Sequence, residues 1–415
     1  MAGPTYNILA ALTGRPVVEG EVVTVDVSRV MAHDGSGPVV AQALNRHGIT
    51  ELAAADRTVF VFDHHYPPIT EREADLQAQA RRFAESNGIP VYAGAGIAHQ
   101  LLPELGLIAP GTVMVGGDSH TCTGGAFGAL AIGFGATDVA AVLATGRLWL
   151  EVPGVLRVGL TGSLGNGTTA QDLALAITTE VGMGGAIGMV VEFVGPAIAE
   201  LSVADRMKLS NHAVEMGAVT GVFPVDATVL AWLAERGADL THADRAVDGD
   251  DPWDLTVDLG DVVPTLARPS RPDRTVAASD LEPIEVNQVF IGSCAGGRLE
   301  DLHEAVQVLG GQKVHPDVRL LVGPASAEVY QRAVEDGSIA RLTAAGATVL
   351  PPGCGACLGR LGTLAAGEVA VSTQNRNFVG RCGSAESEVY LGSPTTAANA
   401  ALSGRVGSAI DASSR

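Results

Sequence analysis

At 415 residues the chain exceeds one ordinary hydrophobic core, and two or three domains are expected. Hydrophobic residues make up 47% of it, yet no run approaches the roughly 18 apolar residues of a membrane span. A formal net charge of −20 excludes nucleic acid and anionic membrane as principal partners, because both need a basic face.

The opening MAGPTYNILAALTGRPVVEGE has no basic n-region and carries Gly, Pro and Thr inside its apolar stretch, so a cytoplasmic protein is expected rather than a secreted one. Residues 1–265 alternate short apolar runs with helical patterns: TVFVFDHH, then the polar EREADLQAQARRFAESNG, then IPVYAG. That rhythm predicts α/β layers, here two subdomains. Residues 266–284 are polar and proline-bearing and are expected to be a linker. The beat resumes over 285–415, in VNQVFIGS, EDLHEAVQVLGG and VRLLVGP, which predicts a second α/β region.

Glycines cluster with Ser, Thr and Cys just after predicted strands, in GGDSHTCTGGAFGALAIGFG and PPGCGACLGR, where backbone can approach a ligand closely. Five cysteines in so long a chain do not make a disulfide framework. Cys354 and Cys357 form C-x-x-C, and Cys294 ends a predicted strand sixty residues earlier. Zinc, thiol redox chemistry and iron–sulfur clusters all use such pairs. A structural zinc needs a fourth ligand, whereas three cysteines leave one iron of a cubane open for chemistry. Cys122 and Cys382 are expected to be small buried residues.

The segments FDHH (62–65), GAGIAHQLLPELG (94–106), GGDSHTCTGGAFGALAIG (116–133), SNHAVEMGAVTGVFPVD (210–226), FIGSC (290–294), PGCGACLG (352–359) and STQNRNFVGR (372–381) together carry a resemblance. The chain resembles, nearly end to end, the large subunits of isopropylmalate dehydratase and homoaconitase, relatives of aconitase. The resemblance implies three α/β/α domains around a [4Fe–4S] cluster held by Cys294, Cys354 and Cys357, with one iron free of cysteine. It implies reversible dehydration of a hydroxy-polycarboxylate, most often the isomerisation of 2- to 3-isopropylmalate in leucine biosynthesis. It also implies a separate small subunit, the swivelling domain, which supplies a substrate-binding arginine and the serine base. In place of the family's usual Thr-Asn after the first cluster cysteine stand Ala295 and Gly296, and Gly124 and Ala356 stand where bulkier residues are common.

Dehydration needs a proton removed beside a carboxylate, a hydroxide protonated as it leaves, and negative charge held throughout. By resemblance His64 is the acid, paired with Asp63; a carboxylate stabilises a nearby imidazolium. Alternation along a strand would, however, turn Asp63 and His64 to opposite faces, each toward other partners. Asp118 and His120, and His99 in GIAHQ, offer further acid–base groups, and Glu215 resembles the carboxylate that contacts water at the cluster. Ser119 and Asn211 are expected to meet substrate, although Asn211 could instead cap a helix. Arg376 and Arg381, assisted by Asn375, present planar forks suited to carboxylates. His33 and Asp34 match a substrate-proximal segment, but an Asp-Gly turn explains the same letters.

The competing functions are homoaconitate hydration or a divergent alkylmalate dehydratase and, from another class, a non-catalytic iron or redox sensor. The loss of Thr-Asn motivates the sensor; the retained His64, His99, His120, Glu215, Arg376 and Arg381 oppose it. A zinc-stabilised scaffold completes the set.

Overall fold

A computed structural model of the chain describes residues 3–408. The described residues form two compact units built from discontinuous stretches: 3–93, 98–161 and 184–257 in the first, 94–97, 162–183 and 258–408 in the second.

In the first unit, β1 (Val22–Asp26) leads to β2 (Arg29–His33), β3 (Thr58–Phe62), β4 (Val91–Ala93), β5 (Val113–Gly116) and β6 (Leu130–Gly133). The last five make one sheet in the order β4-β3-β2-β5-β6, every pair parallel. Their residues are apolar almost without interruption, because helices cover both faces of a parallel sheet. Phe60, Phe62, Val113, Val115 and Leu130 join Val30 in one buried core. The polar stretch after β3 forms the helix Glu71–Ser86, started by a capping box in which Thr70 and Glu73 satisfy each other's backbone N–H groups. β7 (Arg147–Glu151) returns antiparallel to β1. A second sheet holds β8 (Gly154–Thr161), β9 (Met189–Val194), β10 (Thr220–Val222) and β11 (Leu255–Asp258), ordered β10-β9-β8-β11.

The second unit has β12 (Thr265–Ala267), β13 (Thr275–Ala277), β14 (Ile284–Glu285), β15 (Gln288–Ile291), β16 (Arg319–Val322), β17 (Thr348–Val349), β18 (Val369–Ser372), β19 (Glu388–Leu391) and β20 (Arg405–Val406). Seven of these build a sheet in the order β13-β12-β19-β18-β15-β16-β17, while β14 and β20 pair separately. The layered α/β architecture expected from the sequence is present, as three principal sheets.

The last cut between the two units falls at residues 257/258, against the division expected at 265. The segment 266–284, expected to be a linker, supplies most of the β12–β13 hairpin at one edge of the seven-stranded sheet. Pro269 and Pro272 fall between the two strands, where no ladder N–H is required, so proline and strand coexist. Within the described residues, no helix is long and apolar enough to cross a membrane.

Candidate active site

Ligand sites in parallel α/β sheets form at the carboxyl ends of the strands. In the first unit, His33 ends β2, Asp63 and His64 follow β3, His99 follows β4, and Asp118 and His120 follow β5. Asp118 is the hub of this cluster. Its Oδ1 lies 2.8 Å from His99 Nε2 and accepts the backbone N–H of His120 at 2.7 Å, while its Oδ2 lies 3.1 Å from His64 Nε2. Burial alone would raise the Asp118 carboxyl, but the charge of His99 and hydrogen bonds from His120, His64 and His99 outweigh it and hold the group well below the ordinary carboxylate range.

His64 is held from both sides, with its Nδ1 2.7 Å from Asp63 Oδ1. The strand ends at Phe62, so the alternation that would have turned Asp63 and His64 apart no longer applies, and the two side chains meet. The second Asp63 oxygen accepts the Ala98 N–H at 2.7 Å. A neutral imidazole has one donor and one acceptor nitrogen, so a ring set between two carboxylates completes both hydrogen bonds only as imidazolium. His33 stacks on it at 3.9 Å between ring centroids. On the far side, His120 Nε2 lies 2.9 Å from Glu215 Oε1, and both residues are buried.

Two residues expected to contact substrate are engaged within the fold. Asp34 is 1% exposed, and its oxygens accept the N–H groups of His64 and His65 at 3.1 and 2.8 Å and the Gln77 amide at 3.0 Å. It orders the turn that carries His64, as the Asp-Gly reading allowed. Burial works against its charge, yet the His33 hydrogen bond, the His64 charge and the His65 N–H bring it to about 2. Asn211 is fully buried inside the helix Val203–His212, and it donates to Thr123 Oγ1 at 2.8 Å.

The second unit carries the thiols, again at strand ends: Cys294 after β15, Cys354 and Cys357 after β17, and Asn375, Arg376 and Arg381 after β18. Ser293 has φ 77°, a left-handed backbone uncommon for a residue with a side chain, and it presents Cys294 at the head of the following turn. The donor set suits a thiolate-bound cluster. All three thiols are buried, and two have polar donors aimed at sulfur: Asn375 Nδ2 at 3.4 Å from Cys294 and the Arg381 guanidinium at 3.4 Å from Cys357. Asn375, expected beside the arginines, thus also addresses a thiol. Cys122 and Cys382 are buried, and Cys382 receives a Gln374 N–H at 3.2 Å.

Sequence reasoning missed the supports of the Cys294 loop. Buried Arg298 donates to the carbonyls of Cys294 at 2.7 Å and Ala295 at 3.2 Å, and the Thr373 hydroxyl accepts the Gly292 N–H at 2.9 Å. These contacts span up to 81 residues and left no local signal, although Arg298 opening a helix after Gly296-Gly297 was a faint one. A Cβ at Gly296 would stand 2.3 Å from Thr373, so the small residue after Ala295 is matched to that threonine.

A model of the aconitase family (aconitate hydratase) matches residues 8–285 and 277–404. The 3-isopropylmalate dehydratase large subunit 1 of Methanopyrus kandleri is 45% identical over 404 residues, covering 96% of this chain and 97% of that one. The methanogen homoaconitase large subunit of Methanocaldococcus jannaschii is 41% identical over 418 residues, covering 98% and 99%. Among solved structures, the holo-form of Thermococcus kodakaraensis aconitase X matches with a TM-score of 0.50 at 11% identity, over 90% of this chain and 87% of that one, a likeness of fold.

Proposed function

The chain belongs to the aconitase family, and from that premise we propose that it is the large, catalytic subunit of a [4Fe–4S] hydro-lyase that interconverts 2- and 3-isopropylmalate, completed by a separate small subunit. The observation that carries the reading is the Asp118 carboxylate shared by His64 and His99 and capped by the His120 N–H. A non-catalytic sensor has no use for two imidazoles gathered on one carboxylate at a strand end.

Cys294, Cys354 and Cys357 would hold the cluster. Bound there, it supplies an iron without a protein thiolate, a Lewis acid for the substrate hydroxyl. His64, kept protonated between Asp63 and Asp118, delivers the proton that turns the departing hydroxide into water. Asp118 fixes that ring while His99 holds Asp118 from the side, so the acid is positioned before substrate arrives. Glu215 and His120 form the second acid–base pair, which orients the water. Arg376 anchors a substrate carboxylate, and Ser119 beside Asp118 binds another oxygen. Arg381 serves both the Cys357 sulfur and a carboxylate. Homoaconitate hydration is the second reading, favoured by the Methanocaldococcus relative.

The test is iron and acid-labile sulfide per chain after anaerobic reconstitution, in the parent and in Cys294→Ala, Cys354→Ala and Cys357→Ala, followed by hydration assays with the small subunit. About four of each in the parent, lost in every variant, with hydration of substituted maleates, is expected. Zinc without sulfide, or a full cluster with no hydration of any substrate, would overturn the reading.

A further inference from the structure

The helix Val203–His212 runs directly into the 3₁₀ turn Ala213–Met216, since His212 and Ala213 both keep right-handed helical backbone. Lys208, His212 and Glu215 stand at i, i+4 and i+7 along it, the spacing that puts side chains on one stripe. The stripe lies within the first unit and packs on the 3₁₀ segment Ser119–Phe127, where His120 meets Glu215.

Every member of the stripe is out of water: Lys208 is 2% exposed, His212 1% and Glu215 3%. A lysine is almost never buried to this degree without an anion, because the interior stabilises a lone charge so poorly. The elements packed on the stripe narrow the choice of that anion. The segment Ser119–Phe127 brings His120 and Cys122, and its cap Asp118 is already engaged by His64, His99 and the His120 N–H. On the helix itself, Asp205 is held by Ser202, and Arg206 is paired at 2.6 Å with Asp226, the cap of the helix Ala227–Glu235. Glu235 is exposed at the far end of that helix, and β10 carries no charged residue. Glu215 is the acid that remains on these elements, and it shares the stripe with Lys208.

His212, between the two in sequence, competes for neither charge. Burial and the charges of His120 and Lys208 outweigh the pull of Glu215 and bring it to about 4, so at neutral pH it is an uncharged imidazole. The stripe therefore joins one cation to one anion, and the Oε1 of that anion lies 2.9 Å from His120 Nε2. A protonated Glu215 would turn one oxygen into a donor, whereas the carboxylate accepts on both, as a group that orients water beside His120 must.

We propose that Lys208 is a positioning residue for this second acid–base pair: its buried ammonium is the counter-charge that keeps Glu215 a carboxylate, so that His120 donates to it. The proposal rests on the hydro-lyase reading above and adds to it the charge that sets the working pH of the pair.

If the carboxylate is the active form, kcat falls as pH drops through the value at which Glu215 takes up its proton, and removing a neighbouring cation moves that value up. The experiment records kcat against pH for the reconstituted two-subunit holoenzyme in the parent, Lys208→Met, Lys208→Arg and His212→Met. Infrared pH-difference spectra of the same samples follow the carboxyl band of Glu215, identified by its loss in Glu215→Gln. In Lys208→Met the acidic limb and the band are expected to shift together to higher pH by about 1–2 units, while Lys208→Arg restores both and His212→Met leaves both in place. Lys208→Gln carries the same test where Lys208→Met fails to fold. A limb and band unmoved in either folded neutral variant would overturn the proposal and leave Lys208 a structural residue, its loss read in Tm alone. An equal shift in Lys208→Arg would overturn it too, because charge would not be the cause. A parent that hydrates no substrate would overturn the hydro-lyase reading, and the infrared band would still decide whether Lys208 governs Glu215.

Discussion

His64 Nε2 lies 3.1 Å from Asp118 Oδ2, so the imidazole is bounded by Asp118 on one nitrogen and by Asp63 on the other. Asp118→Asn removes the charge while keeping the volume, and His64 then loses one reason to hold its proton. The expected outcome is a fall in kcat of roughly 10²- to 10⁴-fold with iron and sulfide content unchanged, measured on the reconstituted holoenzyme. Wild-type kcat in this variant would place the proton donor elsewhere.

His212 links burial to acid sensitivity. Burial lowers its proton affinity; Glu215 opposes this, while His120 and Lys208 add to it, and the result is about 4 against an ordinary 6.5. Below pH 6.5 the unfolded chain takes up a proton that the folded chain refuses, so this contribution is fully present above 6.5 and is lost as pH falls toward 4. The loss amounts to roughly 3 kcal/mol. His212→Met should flatten the dependence of unfolding free energy on pH across that window, as read by urea titrations at pH 7 and 4.5.

Arg157 and Glu192 form a buried pair at 2.9 Å, and the Glu192 carboxylate also accepts the Thr5 N–H at 2.9 Å at the start of the first helix. Burial raises the Glu192 carboxyl, opposed by hydrogen bonds from Thr5 and the charge of Arg157. Arg157→Met strands that charge and is expected to cost about 3–5 kcal/mol of stability. Adding Glu192→Gln should recover a large part of it, and a purely additive double variant would contradict the pairing.

Gly296 and Thr373 are matched by contact. Gly296→Ala drives a methyl into Thr373 and should destabilise by roughly 1–3 kcal/mol. In Gly296→Ala/Thr373→Gly the two penalties should be non-additive by at least about 1 kcal/mol, because the obstructing atoms are gone. Thermal melts of the four proteins in the cycle decide it.

Much of the site was legible because its residues follow strands directly: an apolar run ending in Asp-His or Gly-Gly-Asp-Ser-His announces both the strand and what its carboxyl end presents. The thiol spacing was legible for the same reason. What the sequence concealed was the division of labour inside each motif. Asp34 reads as substrate-proximal or as a turn residue with equal ease, and what decides is that both its oxygens are engaged by the N–H groups of a turn thirty residues away. Asn375 directly precedes Arg376 in sequence and reaches back to Cys294, because parallel β15 and β18 bring their carboxyl ends together. The hairpin at 265–277 was hidden because proline density reads as linker unless the prolines are known to fall in the turn.

The interleaving of the two units sets a timetable for synthesis. The first unit is complete in sequence once residue 257 has emerged, whereas residues 94–97 and 162–183 belong to a unit whose sheet receives its last strand, β19, only at residues 388–391. Those early segments must wait, away from their partners, through the translation of more than half of the remaining chain. A nascent chain stalled between these points is an N-terminal half with two loose ends of someone else's core, which is where a holdase would be expected to bind.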